Sequence, residues 1–361
     1  MRKGKGIMSA ITYKCPNCDG GLVFDPESGT YACEYCLSRF SQDELETESQ
    51  SAEVVQEEVA ADESATEETV TESAVVYHCP SCGAEVITDE TTAATFCFYC
   101  HNPIVLAGKL EGTYLPDGII PFKITKEEAT EKFLGWIQKK KFVPKGFYSK
   151  QNIEKMSGVY FPYWLYDCEV DSSMSGVARD VRIWRVGDIE YTETKTFQIH
   201  RAGKVSFRHL PKTGLEKAQN ALLKGIFPYE FGALEKFHMG YLSGFQAEKR
   251  DIDKENYIEE IKKEVSDFAE KRIRDTITGR TSFSADSQHY HITEDKFSYV
   301  LLPVWVLTYK AKGSDICYFA MNGQTGEIVG SLPTDSKKLF KLGAIIFAVI
   351  FVICMLGGLL V

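Results

Sequence analysis

The sequence predicts two small zinc ribbons, an α+β domain with two weakly similar halves, and a C-terminal transmembrane helix. Three observations carry that expectation. A pair of CxxC knuckles occurs twice at one spacing. A middle region repeats a Pro-x-Trp strand after a helical stretch. The final twenty residues, 342–361, carry no charge. The implied order is ribbon one (1–40), an acidic disordered linker (41–76), ribbon two (77–110), the α+β domain (111–335, halves 112–210 and 240–333) and the span (342–361).

The knuckles are Cys15-Pro16-Asn17-Cys18 and Cys33-Glu34-Tyr35-Cys36, then Cys79-Pro80-Ser81-Cys82 and Cys97-Phe98-Tyr99-Cys100. Fourteen residues separate the knuckles of each pair, and these modules hold eight of the eleven cysteines. Zinc takes four ligands tetrahedrally, and each CxxC turn offers two sulfurs to one ion. A disulfide framework and a thioredoxin-like redox pair compete with this reading. The redox motif uses one CxxC beside a βαβ pattern, not two paired repeats. Two structural Zn2+ ions are therefore expected, held by Cys15, Cys18, Cys33 and Cys36 and by Cys79, Cys82, Cys97 and Cys100.

In ribbon one, Gly20-Gly21 and Ser28-Gly29 flank Leu22-Val23-Phe24 as the turns of a short hairpin. Tyr31 and Phe40 are expected beside the metal. A module this small buries too little apolar surface to fold alone, so metal must contribute. His78 and His101 flank the knuckles of ribbon two and read as surface histidines, because four thiolates already complete the set.

The net charge of −10 is concentrated in one segment. Residues 41–76 hold twelve Asp or Glu and no Lys or Arg, and setting them aside leaves +2 for the rest. That tract reads as a solvated tether rather than a lure for a basic partner. Near-neutral folded parts weigh against a strongly electrostatic nucleic-acid binder. Arg2, Lys3 and Lys5 are not followed by an apolar stretch of signal-peptide length.

In the middle region, Thr125-x-x-Glu128 is a capping box ahead of Ala129, Phe133, Trp136 and Ile137, which share a helical face. Lys139-Lys140-Lys141 would complement the last turn of that helix. Val159 to Tyr166 reads as a buried strand, with Pro162 at an edge or bulge. Strand pieces follow at 190–200 and 204–210. Thr213-x-x-Glu216 reads as a second capping box, opening a helix through Leu222 and Leu223. A helix starting at Asp253 carries Ile258, Ile261, Val265 and Phe268, with Gly279 as its stop. Leu301 to Tyr309 echoes the earlier Pro-x-Trp strand. Ile316 to Met321, Asn322-Gly323 and Ile328-Val329 form the last hairpin.

Residues 342–361, preceded by Lys337, Lys338 and Lys341, are expected to span a bilayer with the lysines on the cytosolic side. The chain would then be a single-pass, tail-anchored protein of the cell membrane, its lipid contact made by this helix and its ribbons in the cytoplasm. A reducing compartment would keep the thiolates free for metal. Cys168, Cys317 and Cys354 read as small apolar residues. There is no GxxxxGK[ST], GxGxxG, GxSxG or HExxH. His289-x-His291 lacks further ligands. Four-thiolate sites leave zinc no open position, so no enzyme is expected.

The paired ribbons, the segments 161–166 and 302–306, the turn Asn322-Gly323-Gln324-Thr325-Gly326-Glu327 and the apolar terminus together resemble a bacterial family of membrane-anchored proteins with transcription-factor-IIB-type ribbons. That resemblance implies an adaptor that anchors flotillin-like (SPFH) or phage-shock-type membrane-stress proteins. The alternative is a ribbon that binds nucleic acid at the membrane, by analogy with transcription and replication factors.

Overall fold

The computed structural model describes residues 10–49, 74–216, 220–310 and 316–358, with side chains described as far as Phe351. Residues 50–73 of the acidic linker lie outside this set. The linker's ends are ordered: a short helix covers Gln42–Ser49 and a strand begins at Ala74.

In chain order the strands and helices begin with β1 (Leu22–Asp25), β2 (Thr30–Cys33), β3 (Arg39–Phe40), α1 (Gln42–Ser49), β4 (Ala74–His78) and β5 (Glu85–Asp89). Then come β6 (Thr92–Phe96), β7 (Pro103–Val105), β8 (Gly118–Ile119), α2 (Lys126–Gln138), α3 (Lys150–Ile153) and β9 (Ser157–Val186). They continue through β10 (Ile189–Thr213), α4 (Asn220–Gly225), β11 (Glu235–Lys236), β12 (Gln246–Glu248) and α5 (Ile258–Arg274). The last are β13 (Ser282–Lys310), β14 (Ile316–Asn322), β15 (Ile328–Gly330) and α6 (Ser336–Gly358). Sheets β1-β2-β3 and β4-β5 are small. The third has the order β11-β8-β13-β9-β12-β6-β7, with β10 beside β9, β14 beside β13 and β15 beside β14.

The framework is thus mostly β-sheet, which corrects the expected α+β domain in two halves. The two Pro-x-Trp segments belong to β9 and β13, strands of 30 and 29 residues that are neighbours in one sheet. Their likeness reflects two buried apolar strand segments of similar composition. Contacts divide the chain into a unit of residues 1–161, 217–249 and 301–361 and a unit of 162–216 and 250–300.

In the first unit, Phe122 stacks on Phe245 at 4.2 Å and meets Tyr160 and Trp305 edge-on, each at 5.0 Å. The Trp305 indole donates to the Ile124 carbonyl at 3.1 Å. The Thr125–Glu128 capping box is formed, and α2 buries Ala129, Phe133 and Ile137. The helix stops at Gln138, one residue short of the lysine run. Lys140 lies over the Trp136 ring instead, 5.4 Å from its centre. This unit also holds both ribbons.

In the second unit, α5 sets Ile261, Val265 and Ala269 against Tyr166, Cys168 and Val170 of β9. The buried row runs at spacing four and ends with Ile273, while Phe268 is exposed, so the face is rotated from the expected stripe. Thr213-x-x-Glu216 caps no helix among the described residues: Thr213 is the last residue of β10, and the Glu216 N–H donates to Asp251. Pro162 falls between Tyr160, the last β9 residue paired with β12, and Tyr163, the first paired with β10. A missing N–H costs nothing where the neighbour changes.

The C-terminal segment is helical, but among the described residues no helix is long and apolar enough to cross a membrane. Lysines 337, 338 and 341 occupy the opening turns of α6. The transmembrane helix is therefore not supported. With it fall the bilayer contact, the single-pass, tail-anchored placement at the cell membrane and the cytoplasmic side assigned to the ribbons.

Candidate metal centres

All four knuckles share one backbone design. The carbonyl of the first cysteine accepts from the N–H four residues on, at 2.8 Å (Asp19), 3.0 Å (Leu37), 2.8 Å (Gly83) and 2.9 Å (His101). The N–H of the same cysteine donates to the carbonyl five residues on: Gly20, Ser38, Ala84 and Asn102. The residue at the fourth place is left-handed in every knuckle, with φ of 64°, 61°, 73° and 59°. That conformation reverses the chain tightly enough to aim both sulfurs at one point. Only one of the four is glycine, the residue that reaches this region freely. Asp, Leu, Gly and His share no side-chain signature, so the turn could not be read from the sequence.

The structure brings Cys15, Cys18, Cys33 and Cys36 into one group and Cys79, Cys82, Cys97 and Cys100 into another, with all sulfurs of a group within 4.8 Å of one another. Sγ atoms lie 3.5 Å apart in the pairs Cys15–Cys36 and Cys18–Cys33. They lie 3.7 Å apart in Cys79–Cys100 and Cys82–Cys97. A disulfide needs about 2.05 Å, so these are thiols. A tetrahedron with metal–sulfur bonds of about 2.3 Å has edges of about 3.8 Å, close to what is found. Both groups could hold a metal ion and are consistent with two zinc sites. His78, His101, His289 and His291 are exposed and belong to neither group.

The thiols within each group hold their protons unequally. In the first group Ser38 Oγ lies 3.3 Å from Cys36 Sγ and, with the Ser38 backbone N–H, holds that thiol down at about 6. The Gly20 N–H pulls Cys18 down, but the Cys33 and Cys36 sulfurs outweigh it and push Cys18 up to about 12. Burial pushes Cys15 up. In the second group burial raises Cys97, yet N–H groups of Cys100 and Tyr99 more than reverse this, to about 7. Burial raises Cys79, and Cys100 rises to about 12. Each group therefore has one thiol that gives up its proton most readily and two that hold theirs more tightly.

Metal binding must then release more than one proton per site. Lower pH refills the thiols and opposes binding. Affinity is expected to rise more than tenfold per pH unit between about pH 6 and pH 8. Competition against a chromophoric chelator at several pH values measures this, and a flat profile would rule out thiol ligation.

Ribbon one is fixed on both sides within its unit. The Phe24 N–H donates to the Ser243 carbonyl at 3.0 Å, and the Ser243 hydroxyl donates to the Leu22 carbonyl. Ile11 and Val105 exchange backbone hydrogen bonds of 2.7 and 2.8 Å, joining ribbon one to β7 of ribbon two. The knuckle tips face solvent: Tyr35, Leu37, Phe98 and Tyr99 are 69–80% exposed.

Two four-cysteine, zinc-ribbon-like centres on a largely β framework define the class of protein. No family model matches the chain, and no solved structure matches it. A curated relative does: the uncharacterized protein YdjG of Bacillus subtilis (strain 168) is 33% identical over 353 residues, which is 96% of this chain and 99% of that one. The chain belongs to the family of that protein.

Proposed function

We propose that the protein is a metal-stapled adaptor whose zinc ribbons dock a protein partner through their knuckle tips. One observation carries the reading. Tyr35, Leu37, Phe98 and Tyr99 stand exposed on turns whose backbones are locked by paired hydrogen bonds. Rigid aromatic side chains bury large areas on binding with little ordering cost, which suits them to recognition. An ion held by four thiolates would have no vacant coordination position, so its role would be structural rather than catalytic. The partner class implied by the sequence resemblance is a flotillin-like or phage-shock-type protein.

The test is co-purification from native extract with the full chain and with a Tyr35→Ser/Leu37→Ser/Phe98→Ser/Tyr99→Ser variant of equal metal content. Loss of the captured partner from the variant is expected. An identical set of captured proteins would overturn the proposal.

A further inference from the structure

We propose that residues 189–199 of β10 pair antiparallel with the same segment of a second copy of this chain, about a twofold axis at Thr194. The first support is an open edge. β10 bonds to β9 on one side and has no strand on the other among the described residues. A long strand edge is a template for another strand unless it is blunted. The proximal half of β10 is blunted by a bulge between Phe207 and Leu210, a left-handed His209 (φ 56°) and Pro211. The stretch 189–199 has no register shift, glycine or proline.

The second support is the direction of the backbone groups. Gly187-Asp188 is a two-residue turn closed by the pair Val186↔Ile189. Such a closing pair is hydrogen-bonded, and bonded pairs alternate along an antiparallel ladder. Odd-numbered residues from Ile189 therefore bond to β9, and even-numbered ones turn N–H and C=O outward. Val181, opposite Thr194, confirms the parity, because its N–H donates to Thr281 Oγ1 at 3.0 Å, away from Thr194. An axis at Thr194 puts outward-bonding residues of both copies in register.

The third support is self-complementarity. With Thr194 on the axis, Glu193 of each copy faces Lys195 of the other, and Thr192 faces Thr196. Tyr191 faces Phe197, Glu190 faces Gln198, and Ile189 faces Ile199. Each is a favourable or neutral cross-strand pair. Glu193 and Lys195 now pair within one chain at 3.6 Å, Lys195 exposed and Glu193 half-buried, so the exchange leaves no charge unpartnered. Trp184 and Tyr191, stacked at 5.6 Å and about 40% exposed, gain the second copy's Phe197 as a neighbour.

Sedimentation equilibrium of the metal-loaded full chain tests the pairing by charge exchange. Glu193→Lys alone and Lys195→Glu alone each set two like-charged pairs across the axis. Each should weaken the dimer by about tenfold or more. The double exchange recreates both opposite-charge pairs and should restore wild-type association. Thr194→Pro removes an outward N–H that β9 does not use, so it should give a folded monomer even if a charge variant misfolds. A monomeric wild type, unaffected single variants or a double variant as weak as the singles would each overturn the proposal.

Discussion

Chelating the metal is expected to unfold both ribbons and to lower the thermal midpoint of the full chain by more than about 10 °C. Ribbon two is centred on Tyr77, Cys79, Val86, Cys97, Ile104 and Leu106, so two of these six buried core residues belong to the four-cysteine group. Without a cation the sulfurs of each group, all within 4.8 Å, can be neutral only by keeping protons. They then trade strong metal bonds for weak thiol contacts. Structural zinc contributes on the order of 10 kcal/mol to small thiolate-bound modules. Contacts to Ser243 and Val105 will retain part of ribbon one, so the loss should fall more heavily on β4-β5. Circular dichroism and calorimetry before and after chelation, with metal counted per chain, read the effect. A midpoint unmoved by chelation, or well under two ions per chain, would remove the structural role of the thiolates.

Replacing Asn322 with Leu should destabilise the first unit by about 3–5 kcal/mol. Asn322 is fully buried. Its Nδ2 donates to the carbonyls of Ile226 (2.9 Å) and Pro228 (3.1 Å), and its Oδ1 accepts from the N–H groups of Gln324 (2.8 Å) and Thr325 (3.0 Å). One amide therefore serves four backbone groups from two loops, and leucine leaves all four without their partner. Gly323 is tied in as well, since a Cβ there would lie 2.6 Å from the Phe122 ring. Urea unfolding measures the difference, and a change below about 1 kcal/mol would show that water or a shifted backbone replaces the amide.

The two four-cysteine groups were legible because sulfur chemistry is specific and its spacing is repeated. The α2 capping box was legible because it is local, needing only Thr125 and Glu128 on one turn. The same pattern failed at Thr213, where pairing with Tyr163 keeps the residue in β10. Tertiary pairing also overrode the apparent break at Gly203, which stays extended opposite Ser172. Sequence reading split one 25-residue strand into two pieces there. The rotated face of α5 was lost because a run with Ile258, Ile261, Val265 and Phe268 fits two adjacent helical faces. Partner contacts, not periodicity, choose between them. The apolar terminus is helical, but among the described residues no helix is long and apolar enough to cross a membrane.

The two sulfurs of each knuckle do not share one environment. Cys15, Cys33, Cys79 and Cys97 are buried, while Cys18, Cys36 and Cys82 are open to solvent and Cys100 is partly so. For an ion held there, an incoming competitor, whether a small thiol or an oxidant, would meet the outer sulfurs first. Exchange of the ion would proceed stepwise, with the outer sulfurs released first and the inner pair retaining a half-held intermediate. Turnover of the centres would then be governed by attack at the surface rather than by opening of the fold.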